Sequence, residues 1–197
     1  MSAFLGPIHT WLYGKVIFQN GLVNAIAEMA EEKNWLSEEI DVHKFGELEE
    51  GSLEDICDPM NIHGWLQERV SLVERKLAYL VTELTKAAPE RMTEIAECAY
   101  RFGRENGIRE KMSVSDVYRY LETKLLNGMP CDHVNEIVEQ DEEKIIWQQV
   151  TDIHRSYWDE ADGNVEKFYV IKERLMEGIV EESGHRINVR GNVYELR

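Results

Sequence analysis

The sequence has few cysteines, no long apolar run and no leader-like start, and each absence excludes a class of protein. Cys57, Cys98 and Cys131 are widely spaced and odd in number. This argues against a disulfide framework and for a reducing, cytoplasmic compartment. No stretch approaches the ~20 consecutive apolar residues that span a bilayer, so we expect no membrane helix. The N-terminus MSAFLGPIHTW lacks a basic segment and a cleavage pattern, so we expect no signal peptide.

Basic residues are scarce as well. The chain has 38 acidic and 22 basic residues, a formal net charge of -16. Between Glu28 and Asp58, twelve acids stand against only Lys33 and Lys44. Such a surface repels phosphate backbones and anionic membranes, so we expect neither as a partner. We interpret the segment as a solvated connector, with a docking surface for a basic partner as the alternative.

Signature motifs of several chemistries are missing too. The sequence contains no G-x-x-x-x-G-K-(S/T) phosphate loop, no G-x-G-x-x-G fingerprint and no G-x-S-x-G elbow. Cys98 falls on an apolar helix face with Ile95, Ala99 and Phe102, which predicts a buried, inert thiol. The sequence therefore does not disclose a reaction.

Apolar spacing predicts long amphipathic helices over the first two thirds of the chain. The first helix begins at Gly6-Pro7 and runs to about Lys33, and the second begins near Asn61. Further helices are predicted from about 90 to 105 and from 113 to 126. Serines at 37 and 52 suggest short helices within the acidic connector, residues 34–60.

Residues 133–151 are ambiguous between a helix and a hairpin. The cluster Ile145-Ile146-Trp147 and the polar turn that precedes it favour the hairpin. A helix from 163 to about 183 and a second strand pair in RINVRGNVYELR follow. We therefore expect an α+β, mainly α fold: a helical bundle over residues 1–128, with residues 129–197 adding a small antiparallel sheet packed on it as one compact unit. An all-α bundle is the alternative.

One pattern occurs twice, as IHTWLYGKV from residue 8 and IHGWLQERV from residue 62. The apolar stripes that follow also match at an offset of 54, except that Gln19 stands against Val73. Both segments open a long helix, which places His9 and His63 in first turns, with Trp11 and Trp65 near the same end.

The two histidines are candidate metal ligands. The positive end of a helix dipole disfavours an imidazolium, and a neutral imidazole is the form that binds a metal. We therefore expect His9 and His63 to bind iron or zinc, with Cys131 or His133 as a candidate third ligand. The alternative is a duplicated packing and capping arrangement, with both rings bonded to backbone or water.

A second candidate site is the aromatic segment IHRSYW, residues 153–158. Hydrogen-bonding aromatic side chains suit the polar positions of an apolar pocket. We therefore expect His154, Tyr157 and Trp158 to contact a ligand, with Trp11 and Trp65 as apolar walls. The alternative is aromatic packing in the core. His43 and His185 are predicted to be surface residues.

The C-terminal third carries a pattern resemblance. The segment NEIVEQDEEKIIWQQVT, the Tyr157-Trp158 step and the helix FYVIKERLMEGI resemble L-2-amino-thiazoline-4-carboxylic acid hydrolase-like proteins and, more distantly, 4-vinyl-reductase-type domains. This implies an α+β small-molecule-binding domain. The family's cysteines are replaced here by Ile153-His154 and a cysteine-free helix, so the resemblance does not extend to thiol-dependent hydrolysis.

Two functions follow from these patterns. The first is a cytoplasmic protein that binds a small molecule or a metal, with enzyme activity in small-molecule metabolism left open. The second is a non-catalytic protein that self-associates through its helical stripes or docks a basic partner on its acidic segment.

Overall fold

The computed structural model describes residues 6–86 and 88–197, so residues 1–5 and residue 87 of the predicted bundle lie outside it. The helices in these residues are α1 (Pro7–Glu32), α2 (Leu53–Ile56), α3 (Ile62–Lys86), α4 (Arg91–Glu105), α5 (Val114–Lys124), α6 (Arg155–Glu160) and α7 (Glu166–Val180). A 3-10 turn covers Pro130–Asp132. The strands are β1 (Asn135–Gln140), β2 (Ile145–Gln149), β3 (Ile187–Arg190) and β4 (Val193–Leu196). The expected α+β, mainly α fold is confirmed.

The two long helices that carry the repeat, α1 and α3, pack side by side and run parallel. Their first turns meet where His9 contacts His63, and further along Gln19 contacts Glu74. These pairs are 54 and 55 residues apart, so the offset of the sequence repeat is also the packing register. The acidic connector makes this parallel arrangement, because it returns the chain to the end at which α1 began.

The apolar side chains form two clusters. The larger one includes Ile26, Leu77, Ile95, Ile145 and Ile179, so residues from both sides of position 128 share it. The smaller one surrounds the first turns of α1 and α3 and includes Leu12 and Leu66. Both parts of the chain therefore contribute to the larger cluster, as burial of their apolar stripes requires.

Glycines allow α4 and α7 to cross at close range. A Cβ at Gly178 would lie 2.1 Å from the carbonyl oxygen of Tyr100, and one at Gly103 would lie 2.3 Å from that of Leu175. Neither distance is compatible with a side chain, so these two backbones touch directly. The crossing fixes α7 and, with it, the residues that α7 points into the core.

The sheet has the strand order β1-β2-β4-β3 and is antiparallel throughout. Alternation along β2 turns Ile145, Trp147 and Gln149 toward the core, and Trp147 stacks on Tyr194 of the neighbouring strand with ring centroids 5.4 Å apart. The predicted hairpin at residues 133–151 and the C-terminal strand pair are confirmed. Gln149 is thereby held, as a polar side chain, under α7.

Some local predictions were wrong. The segment after Ser37 forms a turn closed by an Ile40 N–H to Ser37 carbonyl bond instead of a helix. The helix α7 ends at Val180 and is followed by turns. His185 is half-buried, and its Nε2 donates to the Met112 carbonyl. Each difference has the same origin: a local hydrogen bond or a neighbouring segment outweighs the intrinsic preference of the residues.

No helix among the described residues combines the length and apolar content that crossing a membrane requires.

Candidate functional site

A polar group lies inside the core where α1, α3 and the start of α6 meet. The Glu74 carboxylate accepts hydrogen bonds from Gln19 Nε2 and from His154 Nδ1, each at 3.0 Å. Glu74 and His154 have no solvent exposure, and Gln19 is also buried. Buried charged groups persist only when they are paired and hydrogen-bonded, and here both carboxylate oxygens are occupied.

His154 is held by stacking on Phe168, with ring centroids 3.8 Å apart. Its Nε2 has no hydrogen-bond partner within the described residues. Tyr157 hydrogen-bonds Ser71 Oγ at 3.0 Å, and Trp158 is fully buried. None of these three aromatic residues lines the cavities of about 310, 240 and 390 Å³, and they pack as a core cluster around a polar pair.

A second polar centre is formed by Lys172 on α7 with Gln149 and Asn127. Lys172 is buried, and its Nζ donates to Gln149 Oε1 at 3.0 Å and to Asn127 Oδ1 at 3.5 Å. Burial lowers the pKa of Lys172 to about 8, although Glu122 and Glu74 oppose the shift. A cavity of about 20 Å³ adjoins Lys172, Asn127 and Gln19, which is room for one water molecule.

A larger cavity of about 240 Å³ opens beside α1, between α5 and the segment 127–135. Trp11 and Tyr118 supply aromatic walls, and Lys15, Glu122 and His133 supply polar groups. Burial raises the pKa of Tyr118, so its hydroxyl stays neutral and available for hydrogen bonding. The cavity therefore combines flat apolar surfaces with groups of both charge signs.

Lys15 is the most unusual residue of this cavity. It is 3 % exposed, and its ammonium lies 3.5 Å from the centroid of the Trp11 ring. It forms no ion pair and no side-chain hydrogen bond with the residues that the structure describes. Burial lowers the pKa of Lys15 to about 8, and Glu122 opposes that shift through its charge. Glu122 therefore lies near enough to influence the lysine without pairing with it.

Asn127 lies between the Lys172 centre and the 240 Å³ cavity. It lines both that cavity and the 20 Å³ cavity beside Lys172. Its Oδ1 faces Lys172, while its buried Nδ2 has no partner within the described residues. The Asn127 side chain would thus separate a ligand in the 240 Å³ cavity from Lys172.

The structure brings some predicted site residues together and separates others. His9 and His63 meet at the first turns, with their Nε2 atoms 3.4 Å apart. His133 and Trp11 share the 240 Å³ cavity, whereas Trp65 is buried against Tyr13 and Arg69. Cys131 is exposed on the 3-10 turn. Among the described residues, no group of three or more histidine, cysteine or acidic side chains could hold a metal.

Sequence reasoning missed most polar residues of the Glu74 group, of the Lys172 centre and of the 240 Å³ cavity. These are Lys15, Gln19, Glu74, Tyr118, Glu122, Asn127, Gln149 and Lys172. Two signals were present. Gln19 breaks the repeat at a position that the matching helix fills with valine, and Lys172 interrupts the apolar stripe between Phe168 and Leu175.

Comparison with known proteins finds no matching family model, curated protein or solved structure.

Proposed function

We propose that this protein binds a small molecule with an anionic group in the cavity beside Trp11. The observation that carries the proposal is Lys15, a largely buried lysine that faces this cavity and has no carboxylate partner within the described residues. Burying an unpaired charge is costly, and the contact with Trp11 offsets only ~0.5–2 kcal/mol of that cost. An anionic ligand would supply the missing partner.

The repeat provides an internal comparison. Arg69, which matches Lys15 at the offset of 54, lies 4.2 Å from the Trp65 centroid, so the tryptophan–cation contact is duplicated. Arg69, however, is paired with Glu49 of the connector and with Glu68. The cation of this contact thus has a carboxylate partner on α3, whereas Lys15 on α1 has none within the described residues. This difference favours a ligand-binding role over a structural role for Lys15.

The cavity also limits the ligand. At about 240 Å³ it lies just below the ~300–1,000 Å³ of sites for drug-sized molecules, which favours a small metabolite. Trp11 and Tyr118 suit a flat or apolar body. The Glu122 carboxylate, also on the cavity wall, could accept hydrogen bonds from an ammonium or another donor group of the ligand. A molecule with an anionic group at one end and a donor at the other, as in an amino acid, fits these contacts best.

The test is a binding screen with named probes. Free L-amino acids, benzoate and indole-3-acetate would be titrated into the protein, with tryptophan fluorescence and calorimetry as readouts. We expect at least one probe to bind, and Lys15→Met to weaken that binding at least about tenfold, since loss of a charged partner costs ~1.4 kcal/mol or more. Lys86→Met is the matched control, because Lys86 is an exposed lysine at the far end of α3.

Two results would overturn the proposal. One is the absence of binding by every anionic probe. The other is equal affinity for Lys15→Met and wild type, with folding of the variant verified by circular dichroism.

A second candidate function is the docking of a basic peptide on the acidic segment, residues 28–58, which comprises the end of α1 and most of the connector. All twelve acids from Glu28 to Asp58 are exposed, and Glu28, Glu31 and Glu47 line a cavity of about 310 Å³ together with Phe45 and Tyr79. Carboxylates beside aromatic rings suit lysine and arginine side chains. An oligolysine peptide should bind with an affinity that falls as salt rises, and Glu28→Gln with Glu31→Gln should weaken it. Binding that ignores both salt and these substitutions would contradict this candidate.

The resemblance of the C-terminal third to small-molecule-binding domains also favours the first candidate. Asn135, the first residue of that region, contributes to the cavity wall. The proposal concerns binding and assigns no reaction.

A further inference from the structure

The contact between His9 and His63 has an unusual geometry. The Nε2 atoms are 3.4 Å apart, the ring centroids are 5.2 Å apart and the ring planes lie at 79°. A straight N–H···N hydrogen bond of that length would place the centroids about 5.7 Å apart, because the two rings would point at each other. The observed centroid distance of 5.2 Å is shorter, so at least one ring is tilted away from the line that joins the two Nε2 atoms.

The same two distances match a different arrangement. Two imidazole nitrogens bound at about 2.05 Å to a tetrahedral zinc ion lie about 3.4 Å apart, and their ring centroids lie about 5.2 Å apart. The angle between the ring planes is free in such a complex, because each ring rotates about its metal–nitrogen bond. The side chains therefore already hold the spacing of a two-histidine chelate.

We propose that His9 and His63 chelate one Zn²⁺ ion through their Nε2 atoms, with solvent completing the coordination. Cys131 and His133 do not join the pair in a larger ligand group among the described residues. His9 is half-exposed and His63 is exposed, so water reaches both rings. The ion would link the first turns of α1 and α3. Between the end of α1 and the start of α3, the chain itself runs through 29 residues.

The hydrogen bonds define what each ring must do. The Gly6 N–H donates to His9 Nδ1 at 3.0 Å, so in the metal-free protein the His9 hydrogen is on Nε2. His63 then accepts with Nε2 and keeps its hydrogen on Nδ1, which is the tautomer that binds zinc. For His9, the hydrogen must move from Nε2 to Nδ1, and the Gly6 N–H loses its acceptor. His63 is therefore preorganised, whereas ligation by His9 competes with its capping bond.

This asymmetry selects the variant for the test. His9→Ala removes a ligand and the helix cap together, whereas His63→Ala removes only a ligand from an exposed position. His43→Ala is the control, because His43 is an exposed histidine in the acidic connector, bonded to Glu47. It reports zinc binding to the acidic surface in general. Lys15→Met separates this proposal from the anion site, since it should leave zinc binding unchanged.

The experiment is calorimetric titration of the tag-free protein with zinc chloride, supported by electron paramagnetic resonance with Cu²⁺ as a spectroscopic probe. We expect one saturable zinc site per chain, a loss of affinity of about tenfold or more in His63→Ala, and no change in His43→Ala. The copper spectrum should show nitrogen coupling in wild type that is reduced in His63→Ala. Absence of a saturable site, or equal zinc affinity in wild type and His63→Ala, would overturn the proposal.

Discussion

Glu74 and His154, eighty residues apart in the chain, form a hydrogen bond of 3.0 Å between two side chains with no solvent exposure. Gln19 occupies the other carboxylate oxygen, so the group joins three separate segments of the chain. A buried polar group of this kind specifies packing, because any shift of α1 or α6 against α3 would leave a polar atom without a partner.

Removal of one member of this group should be strongly destabilising. Glu74→Ala leaves Gln19 and His154 without their acceptor, and breaking a buried pair costs ~3–5 kcal/mol. Urea unfolding followed by circular dichroism would measure the change in the free energy of unfolding. Glu160→Ala is the control, because Glu160 pairs with Arg75 at the surface and should cost under ~1 kcal/mol. Similar losses for the two variants would show that the buried bonds contribute little.

Lys172 should give the protein a distinctive dependence of stability on pH. Its pKa is lowered to about 8 in the folded state, chiefly by burial, from the ordinary value of 10.5. Between these values the unfolded chain holds more protons on this lysine than the folded protein does. The free energy of unfolding should therefore rise with pH across that window, as the burial penalty on the charged form disappears.

Comparison with Lys172→Met isolates this contribution. The stability of wild type minus that of the variant should increase from pH 8 to pH 10, by at most ~1.4 kcal/mol per pH unit. The variant also leaves the side-chain oxygens of Gln149 and Asn127 without their donor. That loss does not depend on pH, so it does not change how the stability difference varies with pH. A difference that is flat or falls over this range would contradict the burial of a charged amine.

The sequence predicts the elements better than it predicts the polar centres. Ile145-Ile146-Trp147 indicates a strand because β-branched and aromatic residues favour it, and the repeat places His9 beside His63 because paired helices preserve an offset. The burial of Lys15 and Lys172 cannot be predicted in this way. A lysine that interrupts an apolar stripe more often lies along its edge with a solvated ammonium, so its burial depends on partners from distant segments.

The three cysteines should differ sharply in reactivity. Cys131 is exposed, Cys57 is half-buried and Cys98 is buried, where burial raises the pKa of its thiol. Thiolates are the reactive form, so a disulfide reagent such as Ellman's reagent should modify Cys131 first and Cys98 only on unfolding. Cys131→Ser should remove the fast phase. Rapid modification of all three thiols in the folded protein would contradict the packing of Cys98 on α4.

Two glycines in helices should respond oppositely to alanine. A Cβ at Gly14 in α1 would meet no described residue within 4 Å, whereas one at Gly178 in α7 would lie 2.1 Å from the Tyr100 carbonyl oxygen. Gly14→Ala should stabilise the protein by ~0.5–1 kcal/mol, because alanine loses less backbone freedom in a helix. Gly178→Ala should destabilise it by ~1–3 kcal/mol or more, because α4 and α7 must separate. Urea unfolding of both variants tests the crossing directly, since effects of the same sign at the two positions would mean that the helix backbones do not touch.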